Sequence, residues 1–168
     1  MELGIPSRSP LLRPPTNRES PVTANSALRP LQGRRALITG ASSGIGAATA
    51  RTLADLGAHV TIVARRLERL TALRDELGPG RCAVDEADVR DARAMGRLFD
   101  GDGFDIVVAN AGLALGVDAI QDGDPEDWST VIDTNVKGVL HTVRAALPGL
   151  RRRGKGDLVV LGLSLIHI

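Results

Sequence analysis

Short apolar runs alternate along the chain with longer segments whose apolar residues recur at helical spacing. The short runs predict buried strands, and the spaced segments predict helices that cover the faces of a sheet. The predicted strands span 35–38, 58–63, 82–84, 105–109 and 158–161. The predicted helices span 47–56, 67–77, 92–99 and a long segment from Asp124-Pro125 to Pro148-Gly149. This alternation indicates an α/β fold with a doubly wound parallel sheet, in a three-layer α/β/α arrangement.

Composition and charge narrow the function classes. The 168 residues suffice for one core, and a net charge of +1 gives no reason to expect a nucleic-acid or membrane partner. No apolar stretch reaches the ~18 residues of a membrane helix. The single cysteine, Cys82, excludes an internal disulfide and fits a small core residue in a reducing, cytoplasmic location. His59 and His141 have no partners at ligand spacing, so we expect no metal site.

The first 32 residues are rich in Pro, Ser and Arg and predict a disordered leader before a domain at 33–162. Prolines that disfavour helix and central strand stand at positions 6, 10, 14, 15, 21 and 30. A basic targeting arm and translation from an upstream start codon are the alternatives. Near the other end, we expect Arg151–Arg153 to lie just past the long helix, solvated, rather than to form a nucleic-acid patch.

A glycine-rich loop, Thr39–Gly46, joins the first strand to the first helix. Gly40 allows a sharp turn, Gly44 lets the backbone approach a pyrophosphate, and Gly46 lets the helix pack close to the strand. Free N–H groups and the helix dipole favour an anion there, and serine hydroxyls add donors. The predicted phosphate-binding residues are Gly40, Ser42, Ser43, Gly44, Ile45 and Gly46.

The second predicted strand is followed by Ala64, where an acidic residue would bind a ribose 2′-hydroxyl and repel a 2′-phosphate. Arg65 and Arg66 follow, and a guanidinium can hold a phosphate through two N–H groups. We therefore predict NADP(H) rather than NAD(H) as the cofactor, with Arg65 as the main contact. Two solvated arginines that open a helix are the alternative.

The loop Thr39–Gly46 resembles the cofactor loop of the short-chain dehydrogenase/reductase family, and the resemblance covers about residues 33–162. It implies hydride transfer between nicotinamide and a carbonyl or secondary alcohol carbon. It also implies that Asp88 and Val89 line the adenine pocket, although Asp88 could instead cap the next helix, a role open to Asp91. The triplet Asn110-Ala111-Gly112 resembles the family signature that steadies the central strand and leaves room for the nicotinamide ribose.

Asn135 stands inside the long predicted helix, where asparagine is a poor interior residue because it competes for backbone hydrogen bonds. The misfit predicts a functional break in the helix. Asn135 matches the family's catalytic asparagine, whose kinked main chain holds a water in the proton relay, whereas Lys137 is not the family's catalytic lysine. A polar residue tolerated on a solvated face is the alternative.

The resemblance stops at the end of the fifth strand. The family's serine belongs at position 163, which is Leu163, and the Tyr-xxx-Lys segment would follow. Residues 163–168 are what CTG TCT CTT ATA CAC ATC encodes, a string that resembles a transposon adapter, so we hypothesise a non-native tail on a truncated gene. Because the serine, tyrosine and lysine that the resemblance implies are absent from their places, we expect no turnover from these 168 residues. A sheet incomplete after the fifth strand predicts an exposed edge and poor solubility. The alternatives are a non-catalytic nucleotide-binding or regulatory module and, more weakly, an ATP- or flavin-binding protein.

The substrate is not specified by these residues beyond the small carbonyl or alcohol that the resemblance implies. The stretch 113–116 resembles reductases of small hydroxy acids and alcohols. Family members pair through the long helix that carries Asn135, so we expect the intact protein to be a homodimer or homotetramer.

Overall fold

A computed structural model describes residues 29–101, 103–116 and 118–162, and within them strands and helices alternate in the predicted order. The strands are β1 (Arg35–Thr39), β2 (His59–Ala64), β3 (Cys82–Glu86), β4 (Ile106–Ala109) and β5 (Asp157–Val160). The helices are α1 (Gly44–Asp55), α2 (Leu67–Leu77), α3 (Ala92–Leu98), α4 (Pro125–Ile132) and α5 (Gly138–Arg153). The π-helical segment Asp133–Lys137, called the π segment below, joins α4 to α5. The predicted tail and most of the predicted leader lie outside the described residues.

The strands form one parallel sheet in the order β3-β2-β1-β4-β5, which confirms the α/β prediction. The chain builds outward from β1 to β3 and then crosses to β4 on the other side. In such sheets a ligand crevice opens at the carboxyl ends of the strands where the order reverses, here between β1 and β4. The topology therefore places a crevice beside the glycine loop.

Each face of the sheet carries its own apolar cluster, and neighbouring residues of β1 belong to different clusters. Ala36 and Ile38 pack with buried residues of α1 and α2, whereas Leu37 packs with Ala146 of α5 and with the partly buried apolar residues of α3. A central strand covered on both faces is apolar at its buried positions, as β1 is from Ala36 to Ile38. Cys82 belongs to the first cluster, and burial raises the pKa of its thiol to about 11.

The segment before β1 is part of the folded domain. The N–H of Leu31 donates to the carbonyl of Leu56 at 3.0 Å, and the side chain of Leu31 packs against the first cluster. The domain therefore includes the last residues of the segment predicted as a leader.

The last helix runs further than its prolines and glycines predict. The expected end at Pro148-Gly149 is wrong, because α5 contains Pro148 and continues to Arg153, where Gly154 caps it with a left-handed φ of +66°. Proline removes one hydrogen bond of the helix, but Ala146 and Leu150 on either side are held against the sheet. The arginines expected just past the helix, Arg151–Arg153, instead form its last turn, where the helix dipole favours cations.

β5 forms an edge of the sheet among the described residues, and its Val159 and Val160 side chains are 46% and 50% exposed. The poor solubility expected from such an edge stays a prediction. None of the helices in residues 29–162, outside positions 102 and 117, combines the length and apolar character that crossing a membrane requires.

Asp105 ties three elements together at the end of the sheet opposite the crevice. Its carboxylate accepts a hydrogen bond from the backbone N–H of Arg35 at 2.8 Å and contacts the Arg153 guanidinium at 2.7 Å. The backbone bond from Arg35, followed by the charge of Arg153, holds the pKa of Asp105 below its usual value. The carboxylate therefore stabilises the fold fully above its unfolded pKa of about 3.9, and this contribution is lost as the pH falls through the lower folded pKa.

We expect the free energy of unfolding to decrease as the pH is lowered below about 4. We expect Asp105→Asn to be less stable than the unsubstituted protein at pH 7, and its free energy of unfolding to decrease less on acidification. Urea denaturation between pH 7 and pH 3 measures both effects. Asp55→Asn, at an exposed position of α1, is the control. An acid dependence of Asp105→Asn equal to that of the unsubstituted protein would contradict the assignment.

Candidate active site

Two adjoining cavities open at the carboxyl edge of the sheet, and the loops after β1, β2, β3 and β4 line them. The first takes in Gly40, Ser42, Ser43, Arg65, Arg66, Asp88, Val89, Ala111, Gly112 and Thr134. The second takes in Gly44, Ile45, Asn110, Asn135, Leu161 and Gly162, and it shares several residues with the first. Together they contain every predicted cofactor residue except Gly46, which lies beneath the loop.

The three glycines of the loop differ in what a side chain would meet. At Gly40, with φ of +68°, a Cβ would lie 2.7 Å from the Cα of Ala111. At Gly46 it would lie 2.5 Å from the amide nitrogen of the Asn110 side chain and from the Gly40 carbonyl oxygen. Both glycines thus allow α1 and the loop after β4 to pack closely. At Gly44, with φ of +56°, a Cβ would meet nothing within 4 Å, so this position faces open space in the lining of the second cavity, called the cradle below.

The donors around this cradle suit an anion. α1 begins at Gly44, and the first N–H groups of a helix have no acceptor within it. The guanidinium of Arg66 donates to the Ser42 hydroxyl at 2.7 Å and to the Ser43 hydroxyl at 3.0 Å. Each hydroxyl accepts from Arg66 and so retains its own hydrogen to donate. An open cradle, helix N–H groups and a cation together fit a diphosphate.

Asp88 and Asp91 divide the roles that the sequence left open for them. Asp91 caps α3, since its carboxylate accepts from the N–H groups of Arg93 and Ala94. Asp88 pairs with the Arg90 side chain at 2.7 Å, and this hydrogen bond, with a smaller effect of the Arg65 charge, lowers its pKa. Asp88 is therefore an ionised group in the cleft wall rather than the cap of α3.

A latch between β1 and β4 holds the two sides of the crevice in register. The hydroxyl of Thr39 accepts from the N–H groups of Asn110 and Ala111, both at 3.0 Å, and donates to the Val108 carbonyl. In return the side-chain amide of Asn110 donates to the Thr39 carbonyl at 2.9 Å. No role was predicted for Thr39, although a polar residue at the end of a buried strand was a signal that the sequence offered.

Asn135 lies within the π segment, so the helix departs from α geometry where the sequence predicted a break. Its side chain accepts from the N–H of Leu113 at 2.9 Å and donates to the carbonyl of Leu113 at 2.8 Å. A half-buried side chain with both polar atoms bound is not a tolerated polar residue on a solvated face. Lys137 is paired with Asp133 at 2.7 Å on the surface of the helix.

The π segment also leaves one buried polar atom without a partner. The hydroxyl of Thr134 is the unpaired buried side-chain oxygen among the described residues, and Thr134 is 7% exposed. Irregular helix geometry displaces the backbone carbonyls that a helical threonine usually reaches. Thr134 lines the first cavity, and its place there was not predicted from the sequence.

Residues 34–163 match the short chain dehydrogenase family. The chain is 40% identical over 131 residues to the NADP-dependent 3-hydroxy acid dehydrogenase YdfG of Salmonella typhi. It is 46% identical over 131 residues to sulfoacetaldehyde reductase 2 of Chromohalobacter salexigens. These alignments cover 75% and 74% of this chain but 52% of each relative. The chain thus spans about half the length of the curated relatives it matches.

Solved structures give the same result for the fold. A serine dehydrogenase from Escherichia coli superposes with a TM-score of 0.72 at 38% identity, over 75% of this chain and 60% of that one. The closed form of a serine dehydrogenase complexed with NADP+ superposes with a TM-score of 0.73 at 38% identity, over 77% and 54% of the two chains.

Proposed function

Because the chain belongs to the short chain dehydrogenase family, we propose that its cleft binds NADP(H) in an oxidoreductase acting on a carbonyl or secondary alcohol. One observation carries the proposal. The cradle at Gly44 opens at the first turn of α1, beside an arginine that is already bonded to both loop serines. A diphosphate in that cradle would be held by N–H groups, hydroxyls and a guanidinium.

The preference for NADP(H) over NAD(H) rests on the end of β2. Ala64 stands where an acid would repel a 2′-phosphate, and Arg65 and Arg66 are exposed at the mouth of the first cavity. Two of the relatives support this choice, since one is named an NADP-dependent dehydrogenase and another is complexed with NADP+. The bound coenzyme would supply or accept the hydride.

The remaining residues of the cleft would position the two ends of the coenzyme. Asp88 and Val89 would border the adenine, and Asn110-Ala111-Gly112 would border the nicotinamide ribose, held there by the Thr39 latch. Asn135 would hold the backbone of Leu113 beside the nicotinamide end. The distorted main chain of the π segment would hold a water in the proton relay. This catalytic role of Asn135 is a proposal.

The 168 residues contain no tyrosine, and Leu163 stands where the family's serine is expected. We therefore propose that these residues bind coenzyme without turning over substrate. The coenzyme domain predicted at 33–162 also takes in Leu31, so the proposed leader is shorter than the predicted 1–32. A non-native tail at 163–168 remains part of the proposal. A nucleotide-binding module without catalysis is the second candidate, favoured by the same lack of tyrosine. The names of the relatives favour small hydroxy acids and their carbonyl counterparts as substrates of the full protein.

Pairing between copies is the remaining proposal. Large apolar side chains are exposed along α4, the π segment and α5, namely Trp128, Ile132, Val136, Leu140 and Leu147. An exposed apolar stripe of this kind marks an interaction surface, which fits a homodimer or homotetramer.

Fluorescence titration with NADPH and NADH tests the proposed cofactor. We expect NADPH to bind at least about tenfold more tightly than NADH, since one arginine–phosphate interaction contributes about 1.5–3 kcal/mol. Gly44→Asp should abolish binding, because the new carboxylate would occupy the cradle. The backbone at position 44 has a left-handed φ, which aspartate tolerates, so the variant should still fold. Circular dichroism of that variant checks that it folds.

Failure of the unsubstituted protein to bind either coenzyme would contradict the proposed function, and binding of ATP alone would favour the alternative class. Consumption of NADPH with a small carbonyl substrate would contradict the expected lack of turnover.

A further inference from the structure

His141 connects the long helix to the loop that follows β3. Its Nδ1 lies 2.9 Å from the carbonyl oxygen of Val89, a residue 7% exposed that lines the first cavity. A carbonyl oxygen can only accept, so Nδ1 must carry the hydrogen. His141 is therefore either the neutral Nδ1–H tautomer or the imidazolium, and both make the same bond.

The same helix also fixes the side chain of Val89. A Cβ placed on Gly138, three residues before His141, would lie 2.5 Å from the Val89 Cγ2. Two contacts thus hold the loop against α5. The backbone carbonyl of Val89 bonds to His141, and the side chain of Val89 packs against Gly138. The hydrogen bond from the Asp91 N–H to the Asp88 carbonyl, by contrast, lies within the loop. It fixes the conformation of the loop but not its position relative to α5.

We propose that His141 is a positioning residue for the adenine end of the cleft, acting through Val89 on the affinity for adenine nucleotides. The inference rests on the proposed coenzyme function. Without the bond, the Val89 carbonyl would be a part-buried acceptor that lacks a donor, and the loop would shift toward water to satisfy it. The adenine wall that Asp88 and Val89 form would then lose its fixed distance from Arg65 and Arg66.

Titration of the 168-residue protein with adenosine 2′,5′-bisphosphate tests this assignment. His141→Leu removes the donor, and we expect its Kd to rise about tenfold, as the loss of one hydrogen bond predicts. His141→Asn retains a donor near the position of Nδ1, and its Kd should stay within about threefold of the original value. His59→Leu makes the same change at an exposed position that starts β2, away from the cleft, and should leave the Kd unchanged.

Two results would overturn the inference while the proposed function stands: equal affinities of His141→Leu and the original protein, or no rescue by asparagine. If the original protein does not bind the bisphosphate, the proposed function fails with it. Long-range ¹H–¹⁵N NMR of the histidine rings provides a readout that does not depend on any variant folding. We expect a protonated Nδ1 at His141, and a neutral Nε2–H tautomer would refute the bond.

Discussion

Replacing Thr39 by valine is expected to lower the free energy of unfolding by about 2–4 kcal/mol, because two N–H groups lose their acceptor. Thr39 is 1% exposed, and its hydroxyl accepts from Asn110 and Ala111. Valine has nearly the same shape, so the substitution removes the hydroxyl without opening a cavity. The N–H groups would be left facing a methyl group at the junction of β1 and β4.

The matched control is Thr39→Ser, which retains the hydroxyl and loses one methyl group. We expect Thr39→Ser to lower the free energy of unfolding by about 1 kcal/mol. Urea denaturation of the original protein and of both variants separates the effect of the hydroxyl from that of the methyl group. A valine variant as stable as the serine variant would show that the latch contributes nothing beyond packing. Because the latch joins the two strands that border the crevice, we expect the valine variant to bind NADPH more weakly than the serine variant.

Replacing Arg65 by glutamine is expected to weaken NADPH binding by about tenfold to a hundredfold and to leave NADH binding nearly unchanged. A charge-assisted hydrogen bond contributes about 1.5–3 kcal/mol, and the 2′-phosphate that distinguishes the two coenzymes would lose it. Arg65 lines the first cavity, and its charge helps to lower the pKa of Asp88 across the cleft. Fluorescence titration with both coenzymes measures the change.

Arg66→Gln should behave differently, since Arg66 also holds the hydroxyls of Ser42 and Ser43. We expect it to weaken NADPH and NADH binding together, because the diphosphate cradle is common to both. Arg69→Gln removes the same charge from an exposed position in the first turns of α2 and controls for net charge. If Arg65→Gln changes both affinities equally, or neither, the assignment of Arg65 to the 2′-phosphate is wrong.

The pattern of the sequence predicted the order of elements, the parallel sheet and the position of the crevice. Runs of apolar residues in strands and helix-spaced apolar faces are local signals. They predicted α2 with the bounds that the structure shows and β1 to within one residue at its end. The break at Asn135 was also predictable, since a residue that fits poorly inside a helix is a local signal as well. The end of α5 was not, because packing around Pro148 outweighs the local preference of proline.

The sequence by itself determined the order of strands and helices and that a glycine loop begins α1, since these depend on neighbours along the chain. Only the tertiary structure decided which side chains meet across the cleft. Thr39 and Asn110 are 71 residues apart, Leu113 and Asn135 are 22 apart, and Val89 and His141 are 52 apart. Such pairs depend on the three-dimensional arrangement of the elements, because a hydrogen bond requires two atoms within about 3 Å, and no local pattern records that distance.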